Sequence, residues 1–166
     1  LPYLINIFNQ KYPHLSVNLT IADSNEIENR VLAGELEIGV IGSKSHHANL
    51  ICQKLWAEEL VLVVPAGHMW AGRTSVSIDE LQQTPFIMRE KGSGTLKILE
   101  AYLYQSGVDG TEALQVSARF GSSTAVKEGI KSGLGLSILS SRAIDTEMRA
   151  GLLTGIRLQG LSMSRN

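Results

Sequence analysis

Phe86-Ile87-Met88-Arg89-Glu90-Lys91-Gly92-Ser93-Gly94-Thr95-Leu96-Lys97-Ile98-Leu99 is the stretch that decides the fold class. A short apolar run stops at charged residues and a Gly-Ser-Gly-Thr turn follows. Leu96, Leu99 and Leu103 then recur at helical spacing. The order reads strand, tight turn, helix. In such a turn several backbone N–H groups face one point, and the helix adds a partial positive charge there. A small anion can sit at that point without a lysine or arginine. The stretch indicates a protein that holds a small anionic or polar ligand rather than one that transforms it.

The same grammar recurs on both sides. Upstream, an opening helix carries Leu1, Leu4, Ile5 and Phe8 on one face, with Pro2 in its first turn, and Tyr12-Pro13 ends it. Leu15, Val17, Leu19 and Ile21 alternate as a strand. Asp23 or Ser24 caps a helix bearing Ile27, Val31 and Leu32, Asp23 and Glu26 resembling a capping pair, and Gly34 ends it. Glu37-Ile38-Gly39-Val40-Ile41-Gly42 and Leu60-Val61-Leu62-Val63-Val64-Pro65 read as strands, the second apolar on both faces. Downstream, Ser77-Ile78-Asp79-Glu80 is a capping box. Leu114, Val116, Ala118 and Phe120 alternate as a strand, and Gly121-Ser122-Ser123-Thr124 opens a further helix. Gly133-Leu134-Gly135-Leu136-Ser137-Ile138-Leu139 is a glycine-punctuated strand, and a final helix is expected over 141–148.

Strands alternating with helices give α/β lobes with mostly parallel sheets and right-handed crossovers. The period is lost over 66–77, which contains Gly67, Gly72 and small polar residues. The expected division is a first lobe at 1–66, a crossover or hinge at 67–76, a second lobe at 77–158 and a return crossover at 159–166. The chain opens inside a helix and closes just after a strand, which reads as a piece of a longer protein.

Composition narrows the function classes. The chain has 166 residues, 43% of them hydrophobic, enough for one domain or two small lobes with a packed core. A net charge of -1 gives no basic surface for nucleic acid. No run of about 18 apolar residues predicts a membrane span. The single cysteine, Cys52, cannot form an internal disulfide, which fits a reducing cytoplasm; its strand-like surroundings predict a buried, inert thiol.

Two strand-to-helix junctions, Gly92-Ser93-Gly94-Thr95 and Gly121-Ser122-Ser123-Thr124, are rich in hydroxyls. Ligands in open α/β sheets bind outside the carboxyl ends of strands. Each hydroxyl can equally cap its own helix. The first junction lacks the lysine of a phosphate-binding loop, and Gly133-Leu134-Gly135 lacks the third glycine of a dinucleotide fingerprint and leads into a strand, so close backbone packing explains it better. His46-His47 reads as a solvated loop, not a metal site, since adjacent residues on an extended chain point apart. No nucleophile elbow or other catalytic set is recognisable, and no cofactor is expected.

Taken together, these stretches resemble the effector-binding domain of LysR-type transcriptional regulators. The resemblance rests on the Leu-Pro-x-Leu-(x)3-Phe-(x)3-Tyr-Pro opening and on Leu32-Ala33-Gly34-Glu35-Leu36-Glu37-Ile38-Gly39-Val40. The strand from Leu60 running out through Pro65 to His68 matches as well, as do residues 89–95 and 133–139. It covers nearly the whole chain. It implies a two-lobed fold like the type 2 periplasmic binding proteins, an effector held between Rossmann-like lobes, and a homodimer or homotetramer in the cytoplasm. DNA would be bound only through an N-terminal winged helix-turn-helix outside this sequence. By position, the resemblance makes Ser93 and Thr95 ligand contacts, with Gly94 allowing close approach. Ser122 and Ser123 would line the cleft from the next junction, and Gly42 and Ser43 would face it from the first lobe. Arg89 would be a charge partner or a surface ion pair. Relatives with this turn often carry Arg directly after the Thr, where this chain has Leu96. The effector classes left open are carboxylates, sulfur oxyanions and phosphorylated metabolites. Other readings are a transport-type solute-binding protein of the same fold, or an enzyme on an α/β scaffold. The family's first strand would precede Leu1, and the strand and helix that close its first lobe would follow Asn166.

Overall fold

A computed structural model describes residues 2–42, 45–160 and 162–165. The chain begins with α1 (Pro2–Lys11) and α2 (Ser24–Leu32). Asp23 caps α2, its Oδ1 accepting from the N–H groups of Asn25 and Glu26 at 2.8 and 3.0 Å. The strands expected around 15–21, 37–42 and 50–55 are extended but form no ladder among the described residues. Strand pattern alone does not make a strand, because the backbone groups need a partner. Their apolar side chains are exposed accordingly, with Ile21 at 83%, Ile38 at 82% and Ile51 at 94%. Cys52 lies on the last of these segments and is exposed, against the expectation of a buried thiol.

β1 (Glu58–Pro65) begins the sheet that organises the rest. It is followed by β2 (Ser75–Val76), α3 (Ile78–Gln82), β3 (Pro85–Arg89), α4 (Gly94–Gln105) and β4 (Gln115–Phe120). Then come α5 (Ser123–Lys131), β5 (Ser137–Ser140), a 3₁₀ turn at Ser141–Ile144, α6 (Asp145–Arg149), β6 (Leu153–Leu158) and β7 (Ser164–Arg165). The sheet order is β2-β6-β1-β5, and β3 with β4 joins it through a parallel bridge from Phe86 to Leu136. β3 and β4 are parallel, as expected for strands joined by α4. β1 departs from the mostly parallel expectation, since it runs antiparallel to β5, β6 and β7.

Leu60 pairs with Ser140 and Leu62 with Ile156, so β1 lies in the sheet of the later elements and not with residues before it. Residues 67–76, expected as a hinge, link two strands of that one sheet. They form hydrogen-bonded turns, with Trp70 buried in the core. The chain leaves this sheet instead just before Glu58, which pairs with Arg165 of β7.

The core has two parts, one on each face of the sheet. Leu62, Val64, Phe86, Met88, Leu99 and Leu103 belong to one, and Val61, Val63, Ile87, Val126, Ile130 and Leu139 to the other. The capping box is as read from sequence: the Ser77 hydroxyl accepts from the Glu80 N–H at 3.3 Å, and Glu80 accepts from the Ser77 N–H at 3.0 Å. The glycine punctuation before β5 also has its reason. A Cβ on Gly135 would stand 2.6 Å from the carbonyl oxygen of Pro85. Backbone at that distance cannot step aside as a flexible side chain could, so Gly135→Ala is expected to destabilise the protein by about 1–3 kcal/mol. Urea unfolding of the two proteins measures this difference.

Candidate functional site

The Gly-Ser-Gly-Thr turn lies where the sequence places it, between β3 and α4. Gly92 has φ +90°, a conformation suited to glycine. Leu96 and Leu99 turn into the core and anchor the first turns of α4. That leaves Ser93 as N-cap, 3% exposed, with no hydrogen bond from its side chain to its own helix. Capping therefore does not explain this serine. Thr95 is 4% exposed. α4 has no acidic residue in its first turn, so its N-terminal positive end is not offset from within.

Gly42 meets this turn from the other part of the chain. A Cβ on Gly94 would stand 3.1 Å from the Gly42 carbonyl oxygen, so the two backbones are in close approach. The Gly42 N–H donates to Ser24 Oγ at 3.3 Å, tying it to the first turn of α2. Asp23 lies against Gly92, whose added Cβ would be 2.9 Å from Asp23 Oδ1. Lys97 Nζ donates to Asn25 Oδ1 at 2.9 Å. A seam thus joins the N-terminal turn of α2 to that of α4. Beside it opens a cavity of about 1040 Å³, whose lining includes Gly42, Ser45, Gly94, Lys97 and Ile98. Ser43, the other first-lobe residue expected at the cleft, lies outside the described residues.

The second junction divides in two. Ser122 is the N-cap of α5, its Oγ accepting from the Ala125 N–H at 3.2 Å, so the capping alternative accounts for it. Ser123 reaches across, its Oγ accepting from Arg89 Nη1 at 3.0 Å. Arg89 also holds Glu90 in a two-point pair, with Nε to Oε2 at 2.7 Å and Nη2 to Oε1 at 2.6 Å. Arg89 thus forms an ion pair with Glu90. Burial works against the charge on Glu90. The Arg89 hydrogen bonds and its own backbone outweigh that and hold the carboxyl below its ordinary value.

Ser24, Asn25, Glu90 and Lys97 escaped the sequence reading. Ser24 carried a signal, being adjacent to a capping residue at a strand-to-helix junction. Lys97 and Asn25 meet over a separation of 72 residues, which no local pattern reveals. Among the described residues no cluster of His, Cys, Asp and Glu could hold a metal ion. No helix there is long and apolar enough to cross a membrane.

Residues 1–166 match the family described as the LysR substrate binding domain. The chain belongs to this family. A probable RuBisCO transcriptional regulator of Cyanophora paradoxa is 29% identical over 168 residues, 99% of this chain and 52% of that protein. The chain spans about half the length of the curated relatives it matches. The Synechocystis PCC6803 CcmR regulatory domain, in complex with 2-PG, superposes with a TM-score of 0.86 at 29% identity, covering 99% of this chain and 77% of that one. The effector binding domain of QuiR, in complex with shikimate, gives a TM-score of 0.76 at 15% identity, covering 99% of this chain and 76% of that one. The fold is thus the two-lobed, periplasmic-binding-protein-like fold of LysR regulatory domains.

The folded-state carboxyl of Glu90 titrates below its unfolded value, so its pairing stabilises the protein above the ordinary carboxylate range and is lost as pH falls through the lowered value. Glu90→Gln is expected to be less stable than wild type at about pH 7, and the gap should close on acidification to about pH 3. Denaturant titrations at the two pH values read it out.

Proposed function

We propose that this chain is the effector-sensing domain of a bacterial LysR-type transcriptional regulator. It binds a small anionic or polar metabolite at the seam between the α2 and α4 turns. It relays that binding to a DNA-binding domain carried elsewhere in the protein, which works in the cytoplasm as a homo-oligomer. One observation carries the reading: a buried serine whose side chain makes no cap bond, at the N-terminus of α4, where Gly94 lies close against the backbone of Gly42. Family membership and the ligand-bound relatives support it. Ser93 and Thr95 contact the ligand, Gly94 and Gly42 admit it closely, and Ser123 and Arg89 border it. Ser122 keeps to its helix. No residue is assigned a catalytic role.

The mechanism is population shift. An effector that touches both α2 and α4 turns binds the closed arrangement better than the open one, and only that difference can drive a conformational change. Closure moves the chain connections at Glu58 and Arg165, which run side by side.

A thermal-shift screen of the full-length regulator tests the reading, using inorganic phosphate, sulfate, small carboxylates, 2-PG and shikimate. A ligand at a hundred times its Kd should stabilise the domain by about 2.7 kcal/mol. Thr95→Val is expected to weaken the ligand found by about 1–3 kcal/mol, the cost of a buried polar group left unpaired. Unchanged affinity in that variant would remove the turn from the site.

A further inference from the structure

Two cations flank the α4 turn, and they are in different states. Arg89 is taken up by Glu90 and Ser123. Lys97 is not. A helix turns by about 100° per residue, so the burial of Leu96 in the core swings the next side chain away from it. Lys97 is exposed, lines the cavity and reaches α2, where Asn25 offers it a neutral amide oxygen. None of the ion pairs among the described residues includes it.

A cation near a helix N-terminus is unfavourable. Carboxylates are present around it, Asp23 against Gly92 and Glu28, Glu37 and Glu58 on the cavity lining, but none forms an ion pair with Lys97 among the described residues. Asp23 accepts from the N–H groups of Asn25 and Glu26. Glu28 accepts from Ser45 Oγ at 2.7 Å. An ammonium has three donors, and Asn25 uses one. Lys54, the other lysine on the cavity, belongs to the extended segment before β1.

We propose that Lys97 is the specificity-determining cation of the cleft. It gives an anionic oxygen of the ligand a charged donor while remaining bridged to Asn25, so that an anion ties α4 to α2 and a neutral ligand does not. The inference rests on the reading of this seam as the effector site.

Calorimetric titration of the full-length regulator with inorganic phosphate and with 2-PG tests it, at low and high salt. Lys97→Gln is expected to raise the Kd about three- to tenfold and to flatten its salt dependence, as loss of a partly solvated charge contact should. Lys97→Arg should restore most of both. The melting temperature without ligand should not move, since the side chain is exposed. Wild-type affinity and salt dependence in Lys97→Gln, with binding lost in Thr95→Val, would overturn the role of Lys97 and leave the effector site standing. Wild-type affinity in both variants, or no binding of either probe by the wild type, would overturn the effector site and Lys97 with it.

Discussion

The structure depends on β1. Residues 60–64 are buried without interruption, and their alternation divides them between two cores: Leu60, Leu62 and Val64 on one face, Val61 and Val63 on the other. A strand with helices on both sides can have no polar face. β1 also holds the two halves of the sheet in register, with β5 on one side and β6 on the other. The Gly-Ser-Gly-Thr turn hangs from this frame through β5. The Ile87 N–H donates to the Leu136 carbonyl at 2.7 Å, and Ser137 Oγ donates to the Ile87 carbonyl at 2.7 Å. β3 is therefore fixed to the centre of the sheet just before it delivers the chain to Gly92.

That fixity gives the turn its chemistry. Backbone N–H groups hold an anion well only if they already point at it, because ordering them on binding would consume the gain. Here Leu96 and Leu99 lock one side of the turn into the core, and Gly42 and Asp23 crowd the other. The glycines are required by the second contact. Gly94 has the Gly42 carbonyl where a side chain would begin, and Gly92 has both a positive φ and the Asp23 carboxylate. The neighbouring Arg89 strengthens the frame more than the field. Its charge is balanced by Glu90, and its bond to Ser123 ties the two strand-to-helix junctions together.

What could be read from the sequence follows the range of the forces involved. The capping box at Ser77, the Asp23 cap, the Gly-Ser-Gly-Thr turn and the strands around it are set by neighbours within a few residues, and each lies where the pattern put it. The partners of β1 were not legible. Apolar periodicity gives a strand its faces and says nothing of its partners. Cys52 illustrates the same gap: its segment has strand composition, but burial comes from a neighbouring layer that composition does not reveal. At the site, the hydroxyl-rich junctions were visible, but not which hydroxyl caps and which is spare. Ser122 and Ser93 both occupy N-cap positions, yet only Ser122 makes a side-chain cap bond, and only Ser93 is buried.

The size of the cavity bears on how such a site discriminates. About 1040 Å³ is at the upper end of the roughly 300–1,000 Å³ of pockets that enclose drug-sized molecules, far more than a small anion fills. Its lining is mixed and includes three carboxylates, Glu28, Glu37 and Glu58, and a second lysine, Lys54. Ile27, Val31, Ile38, Ile51 and Leu55 offer apolar surface, whereas Gly42, Ser45, Gly94 and Lys97 offer backbone groups, a hydroxyl and a charge. Of the α4 turn only Gly94 lines it, so a small polar ligand held there would draw its affinity from a few directed contacts. Rejecting a ligand that lacks the right acceptor then requires only that those groups be left unpaired, which is the costlier error in a buried place. Shape would select a large ligand here; for a small one, the selection falls to hydrogen bonds and charge at the seam.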